Sequence, residues 1–165
     1  MAWLRLHLVL VIAALAPALA WSQAVHGDPH VALRAKLGLP ASSAAGEVRI
    51  FGEGYLSGGG ASSLVARREL SGRWRVSWVR QGAWPSDSVL SWSLGRTAEA
   101  ALEELLDDPG AFTPKPVRPE FANCLDPPSV RMEVTWKGRA EHIEQTCGTW
   151  GAIKDIRDLL ESGAP

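Results

Sequence analysis

The stretch RWRVSWVRQ, residues 73–81, alternates between two kinds of side chain. In an extended chain, successive side chains point to opposite faces, so residues two apart share a face. The large apolar residues fall on one side (Trp74, Val76 and Trp78) and the polar ones on the other (Arg73, Arg75 and Ser77). This pattern predicts a β-strand with one face in the protein core and one face towards water.

The same period of two recurs in five further runs, at residues 47–56, 64–70, 90–94, 130–138 and 139–147. Short turns separate the first four strands, which favours an antiparallel meander, and Gly138 joins the last two runs in a hairpin. Helical spacing follows each group, first after Thr97 as N-cap (Ala98, Ala101, Leu102, Leu105, Leu106) and then after Thr149 as N-cap (Ile153, Ile156, Leu160). The sequence predicts an α+β fold, an antiparallel sheet of meander plus hairpin with two main helices on one face.

The first 20 residues have the parts of a secretory signal peptide. Arg5 precedes an apolar run, and small residues allow cleavage after Ala20 or after Ala24. The expected organisation is a signal peptide at 1–20, an N-terminal arm with a short helix and a linker at 21–46, and a single domain at 47–165. The protein is then periplasmic or extracellular and has no transmembrane segment after signal cleavage. Its arginine-rich composition suggests a bacterial source.

The chain has two cysteines, Cys124 and Cys147. In an exported protein such a pair is best interpreted as one disulfide, which stabilises a fold by roughly 3 kcal/mol for a loop of this size. The alternative is a catalytic or redox thiol near His142. Redox pairs usually have the Cys-x-x-Cys form, and this spacing is far longer, so a structural disulfide is favoured.

Charge and motifs argue against several classes of function. The formal net charge is −1, or −2 without Arg5, whereas a nucleic-acid-binding protein shows a strongly basic face. The glycine-rich run at 52–63 lacks the lysine of a phosphate-binding P-loop, and no cofactor is expected. His26, Asp28 and His30 could hold zinc or copper, but a terminal trio without a supporting core is more often solvated. No metal site is expected either.

Two groups of residues are the candidate contacts for a partner. Trp84 lies in a turn and Tyr55 in a neighbouring loop, where exposed aromatic rings often anchor ligands, whereas Trp74, Trp78, Trp92 and Trp136 follow the phase of a core. Arg73 and Arg75, with Arg67, Arg68 and Arg80, could form a basic recognition patch. The alternative for these arginines is cross-strand pairing with Glu47, Glu53 or Glu69.

These observations lead to the expectation of a non-enzymatic exported module that binds a protein or a cell-envelope component. The alternative is a small extracytoplasmic hydrolase that uses Glu53, His142 or another carboxylate. A metal-handling protein that uses His26 and His30 is a third hypothesis.

Overall fold

A computed structural model describes residues 29–36, 46–55, 60–81, 88–113 and 129–165. Its strands are β1 (Glu47–Tyr55), β2 (Gly60–Arg68), β3 (Trp74–Gln81), β4 (Ser88–Ser93), β5 (Ser129–Trp136) and β6 (Arg139–Thr146). Its helices are α1 (Pro29–Lys36), α2 (Arg96–Asp107) and α3 (Ala152–Glu161), and a short 3-10 helix (Pro109–Phe112) follows α2.

The strands form one antiparallel sheet of six, in the order β4-β3-β2-β1-β5-β6. Strands β1 to β4 are a meander, and the β5–β6 hairpin joins it where β5 pairs with β1. The α+β class and the division into meander and hairpin are therefore confirmed.

One side of the sheet, the core face, is covered by α2 and α3. It carries the apolar side chains that the two-residue period predicted, and the main buried cluster is formed there by Val48, Ile50, Leu64, Val76, Met132, Val134 and the tryptophans 74, 92 and 136, with Leu102, Leu106, Ile153, Ile156 and Leu160 from the helices. Trp78 is half-buried at the edge of this cluster, so three of the four tryptophans that were predicted to be internal are fully so.

The other side, the outer face, carries a third helix. Helix α1 lies across β1, β2 and β3, and its Leu33 packs with Phe51 and Val79 in a small second cluster. His30 is also buried there, with its Nδ1 2.9 Å from Ser63 Oγ and its ring edge-on to Phe51. The expectation of two main helices on one face is met, but the opposite face is partly covered as well.

Three local predictions are wrong. Gly95 and Gly151, rather than Thr97 and Thr149, are the N-cap residues of α2 and α3. Gly151 has φ 57° and ψ −140°, a conformation that essentially only glycine adopts, so the backbone reversal before α3 decides where that helix begins. Arg80 does not join the outer arginines, because its parity places it on the core face, where its guanidinium stacks on the Trp78 ring at 3.6 Å.

The reversal before α3 is held by a reciprocal pair of hydrogen bonds. The Gln145 side-chain amide donates to the Trp150 carbonyl (3.0 Å), and the Trp150 backbone N–H donates to Gln145 Oε1 (3.1 Å). The buried Trp150 ring is thereby fixed beside the start of the helix.

Several predictions fall on residues outside the described ranges: the signal peptide, the linker of the N-terminal arm up to residue 45, Trp84, and Cys124 as one half of the disulfide with Cys147. They stay predictions. Among the helices that the structure describes, none combines the length and the apolar character needed to cross a bilayer.

Candidate ligand-binding site

A pocket of about 740 Å³ opens on the outer face, beside α1 and the β2–β3 turn. Pockets of this size accommodate small organic ligands. Its described lining combines basic groups (Arg34, Arg67, Arg68, Arg75, Lys137), apolar groups (Val65, Leu70, Trp136) and Gly46, Glu69 and Ser77. The site is therefore a cationic pocket with an apolar wall.

Strand register brings the arginines together. Arg67 on β2 lies opposite Glu47 on β1 and opposite Arg75 on β3. Two positions further along these strands, Val65 lies opposite Ser77. All five side chains share the outer face because residues two apart on a strand point the same way.

Helix α1 supplies Arg34, which is the most unusual group of the site. Only 4% of Arg34 is exposed, and its Nη2 donates to Ser77 Oγ at 3.2 Å. Its Nε and Nη1 are buried without a hydrogen-bond acceptor. Burial lowers the pKa of Arg34, nearby Arg67 lowers it further, and Glu47 opposes these effects. The structure therefore holds a buried guanidinium whose donors are mostly unused.

Glu47 does not neutralise Arg34, because it is shared among several cations. Its carboxylate lies 3.3 Å from Arg67 Nε and 3.5 Å from Arg49 Nε, and it is itself buried. Burial raises the pKa of Glu47, although Arg49, Arg67 and Arg34 each act to lower it.

The other cations of the pocket each have a carboxylate partner. Arg75 pairs with Glu69 (3.2 Å), Arg68 with Glu103 (2.9 Å) and Lys137 with Asp107 (2.8 Å). Arg34 has no carboxylate within ion-pair distance in the part of the chain that is described. After this pairing, Arg34 is the unbalanced positive charge among the described residues that line the pocket.

The sequence-predicted binding residues separate in space. Arg75 and its neighbour Arg67 both line the pocket. Arg73 does not line it, because its Nε donates to Glu99 (2.7 Å) and its Nη2 to the Leu94 carbonyl (2.6 Å), which ties the strand to α2. Tyr55 ends β1, at the opposite end of the strand from Glu47, and Trp84 lies outside the described residues.

The expected cross-strand alternative also holds for part of the arginine patch. Arg67 pairs with Glu47 and Arg75 with Glu69, as that interpretation required. Arg34 was not predicted as a site residue, since the apolar residues of the arm (Val31, Leu33 and Leu37) form only a modest helical stripe. A signal was present, because His30, Leu33 and Arg34 have the i, i+3, i+4 spacing of one helix face, and all three are buried.

The residues named for the alternative functions are not assembled. Glu53 and His142 are both exposed and lie on β1 and β6, with β5 between them. His142 instead lies 3.9 Å from Glu133 on the neighbouring strand. His30 is buried on the sheet, and no group of three His, Cys, Asp or Glu side chains within the described ranges could hold a metal ion.

Comparison with known proteins leaves the geometry as the basis for inferring function. The pocket, with Arg34 at its centre, is the feature from which a function can be argued. No family model matches the chain, and no curated protein matches it.

Proposed function

We propose that this protein is an exported, non-enzymatic module that binds a cell-envelope component or a protein through the pocket on its outer face. The observation that carries the proposal is the buried, unbalanced Arg34 on the wall of a cavity of about 740 Å³. Buried charges are normally paired, so an unpaired one beside a cavity indicates a group that a ligand completes.

The chemistry of the lining supports binding over catalysis. A general acid or base must reach the reacting atom of its substrate. Glu69 is the carboxylate in the described lining, and it is engaged with Arg75. Glu47 has a raised pKa, but it is buried behind Arg67 and is not part of the described lining.

Export and the disulfide belong to the same proposal. The signal-like segment at 1–20 and the pair Cys124 and Cys147 support it. The mass of the protein recovered from its host would test both parts. We expect a chain that begins after Ala20 or Ala24 and that takes up iodoacetamide only after reduction. A full-length mass, or alkylation without reduction, would contradict this part of the proposal.

The binding function is tested with immobilised protein and an envelope extract. The variants are the double substitution Arg67→Ala/Arg75→Ala at the pocket and Arg96→Ala as a control, since Arg96 is 77% exposed on α2. We expect the wild type and the control to retain a component that the double variant loses. Equal retention by all three proteins, or none by the wild type, would contradict the proposal. A Trp84→Ala variant tests the remaining aromatic candidate in the same assay.

A further inference from the structure

We infer that the pocket recognises an organic monoanion, a carboxylate or phosphate diester with an apolar body, and that Arg34 is the group that binds its charged end. This inference rests on the proposed binding function and specifies the class of ligand. It assigns Arg34 a role beyond its hydrogen bond to Ser77, and it separates that role from those of Arg67 and Arg75.

The Arg34 guanidinium is buried with most of its N–H donors unsatisfied. One of its nitrogens is satisfied by the neutral hydroxyl of Ser77, while the donors on Nε and Nη1 have no acceptor. Burying a charge is unfavourable unless it is paired and hydrogen-bonded. A carboxylate or a phosphate provides both, because it accepts charge-assisted hydrogen bonds from guanidinium N–H groups.

The charges that line the pocket determine how much negative charge a ligand can bring. Arg34 is the positive charge left over after the ion pairs of Arg67, Arg75, Arg68 and Lys137. Glu69 lines the same pocket and would repel additional negative charge. One anionic group therefore balances the site, which favours a monoanion over a polyanion.

One wall of the pocket is apolar. Val65, Leu70 and Trp136 line the pocket beside the cations, and the Leu70 side chain is fully exposed to solvent. Val65 and Trp136 are otherwise buried, so a small inorganic anion would leave chiefly the Leu70 side chain in contact with water. An alkyl or aromatic body attached to the anion would cover it, and burying apolar surface is favourable.

The experiment uses probes that differ in charge, head group or apolar length. Binding of octanoate, methyl octyl phosphate, acetate and octanol to the full chain is measured by calorimetry. We expect octanoate and methyl octyl phosphate, which are both monoanions, to bind at least tenfold more tightly than octanol and acetate. Comparable binding of octanoate and octanol would show that the pocket does not recognise the negative charge. Comparable binding of octanoate and acetate would show that the apolar wall does not contribute to affinity. Either result would overturn the inference.

Variants at Arg34 identify the group responsible. Arg34→Met should lower octanoate affinity at least tenfold, to the level of octanol. The octanoate affinity of Arg34→Lys should lie between those of the wild type and Arg34→Met. Arg96→Ala should bind as the wild type does. Urea midpoints show whether each variant is folded, and Arg34→Lys keeps the test valid if Arg34→Met does not fold. Wild-type affinity in a folded Arg34 variant would overturn the inference.

The two proposals can fail separately. If the extract component is retained through Arg67 and Arg75 while octanoate and methyl octyl phosphate do not bind, the ligand class is wrong and the binding function stands. If neither the extract nor any probe is bound, both proposals are wrong. A preference for methyl octyl phosphate over octanoate would point to a phosphate diester as the source of the charged group.

Discussion

At the scale of single residues, three tryptophans both fill the core and attach helices to it. The indole N–H of Trp74 donates to Glu103 (3.0 Å), that of Trp136 to Asp107 (2.8 Å), and that of Trp92 to the Leu160 carbonyl near the end of α3 (3.0 Å). A buried indole needs such an acceptor, since an unsatisfied donor is unfavourable in the interior. These three rings therefore have a structural role, and Trp136 in addition lines the pocket.

The hydrogen bond of Trp92 gives a prediction for stability. Trp92→Phe should lower the free energy of unfolding by about 2 kcal/mol, because the Leu160 carbonyl loses its partner and the core loses ring volume. Trp78→Phe is the matched control, since Trp78 is only half-buried. Trp78→Phe should lower the free energy of unfolding clearly less than Trp92→Phe does. Urea unfolding measures both, and equal losses would show that the indole N–H contributes nothing.

The positions of these rings were predictable from sequence, but their partners were not. Two-residue alternation assigned Trp74, Trp92 and Trp136 to the core face because parity on a strand is a local property. Which helix residue accepts each N–H depends on packing between elements that are distant in sequence. Trp74 and Glu103, for example, are 29 residues apart.

At the scale of elements, α2 carries a stripe of carboxylates that attaches it to the sheet. Glu99, Glu103 and Asp107 are spaced by four and lie on one side of the helix. Glu99 accepts from the Trp74 backbone and from Arg73, Glu103 from the Trp74 indole and Arg68, and Asp107 from the Trp136 indole and Lys137. The apolar stripe of this helix was predicted, but this parallel polar stripe was not recognised.

The β5–β6 hairpin gives a second prediction. Lys137 and Gly138 form a two-residue turn with φ 47° and 80°, as type I′ turns require. Gly138→Ala should lower the free energy of unfolding by about 1–2 kcal/mol, and nothing within 4 Å of the added Cβ provides a steric explanation. Gly138→Asn should cost less, because asparagine tolerates positive φ. Similar thermal midpoints for Gly138→Ala and the wild type would contradict the expected turn type.

At the scale of the whole molecule, the sheet is packed on both faces but by different means. Tryptophan and aliphatic side chains fill the core face, whereas α1 is placed on the outer face by a few contacts, including His30 with Ser63 and Arg34 with Ser77. The sheet could be predicted because its strand pattern is local and repeated. The pocket could not, since it depends on contacts 33 and 43 residues apart and on a helix with a weak apolar signal.

The stability of the fold should decrease on acidification, because two carboxylates of α2, Glu99 and Asp107, have lowered pKa values. Burial opposes ionisation of Glu99, but the Trp74 N–H and Arg73 together hold its pKa below the ordinary value of 4.5. Hydrogen bonds from Lys137 and Trp136 lower the pKa of Asp107 in the same way. A lowered pKa means that the unfolded chain takes up protons first, so stability is present above pH 4.5 and is lost as the pH falls through the folded-state values. Glu47, whose pKa is raised, acts in the opposite direction.

The measurement is the urea midpoint between pH 6 and pH 3. The wild type should lose stability on acidification, and the double variant Glu99→Gln/Asp107→Asn should be less stable at neutral pH and flatter across the range. Glu104→Gln, at an exposed position on the same helix, should keep the wild-type slope. An unchanged slope in the double variant would show that acid unfolding begins elsewhere.

The amide pair between Gln145 and Trp150 has a consequence for life in different redox compartments. This clamp is made of nitrogen and oxygen alone, and it joins residues only five apart. It therefore helps to orient the start of the final helix through bonds that thiol chemistry does not break, and the Trp92 indole donates to the Leu160 carbonyl near the other end of that helix. Reducing surroundings would leave these two hydrogen bonds chemically unchanged.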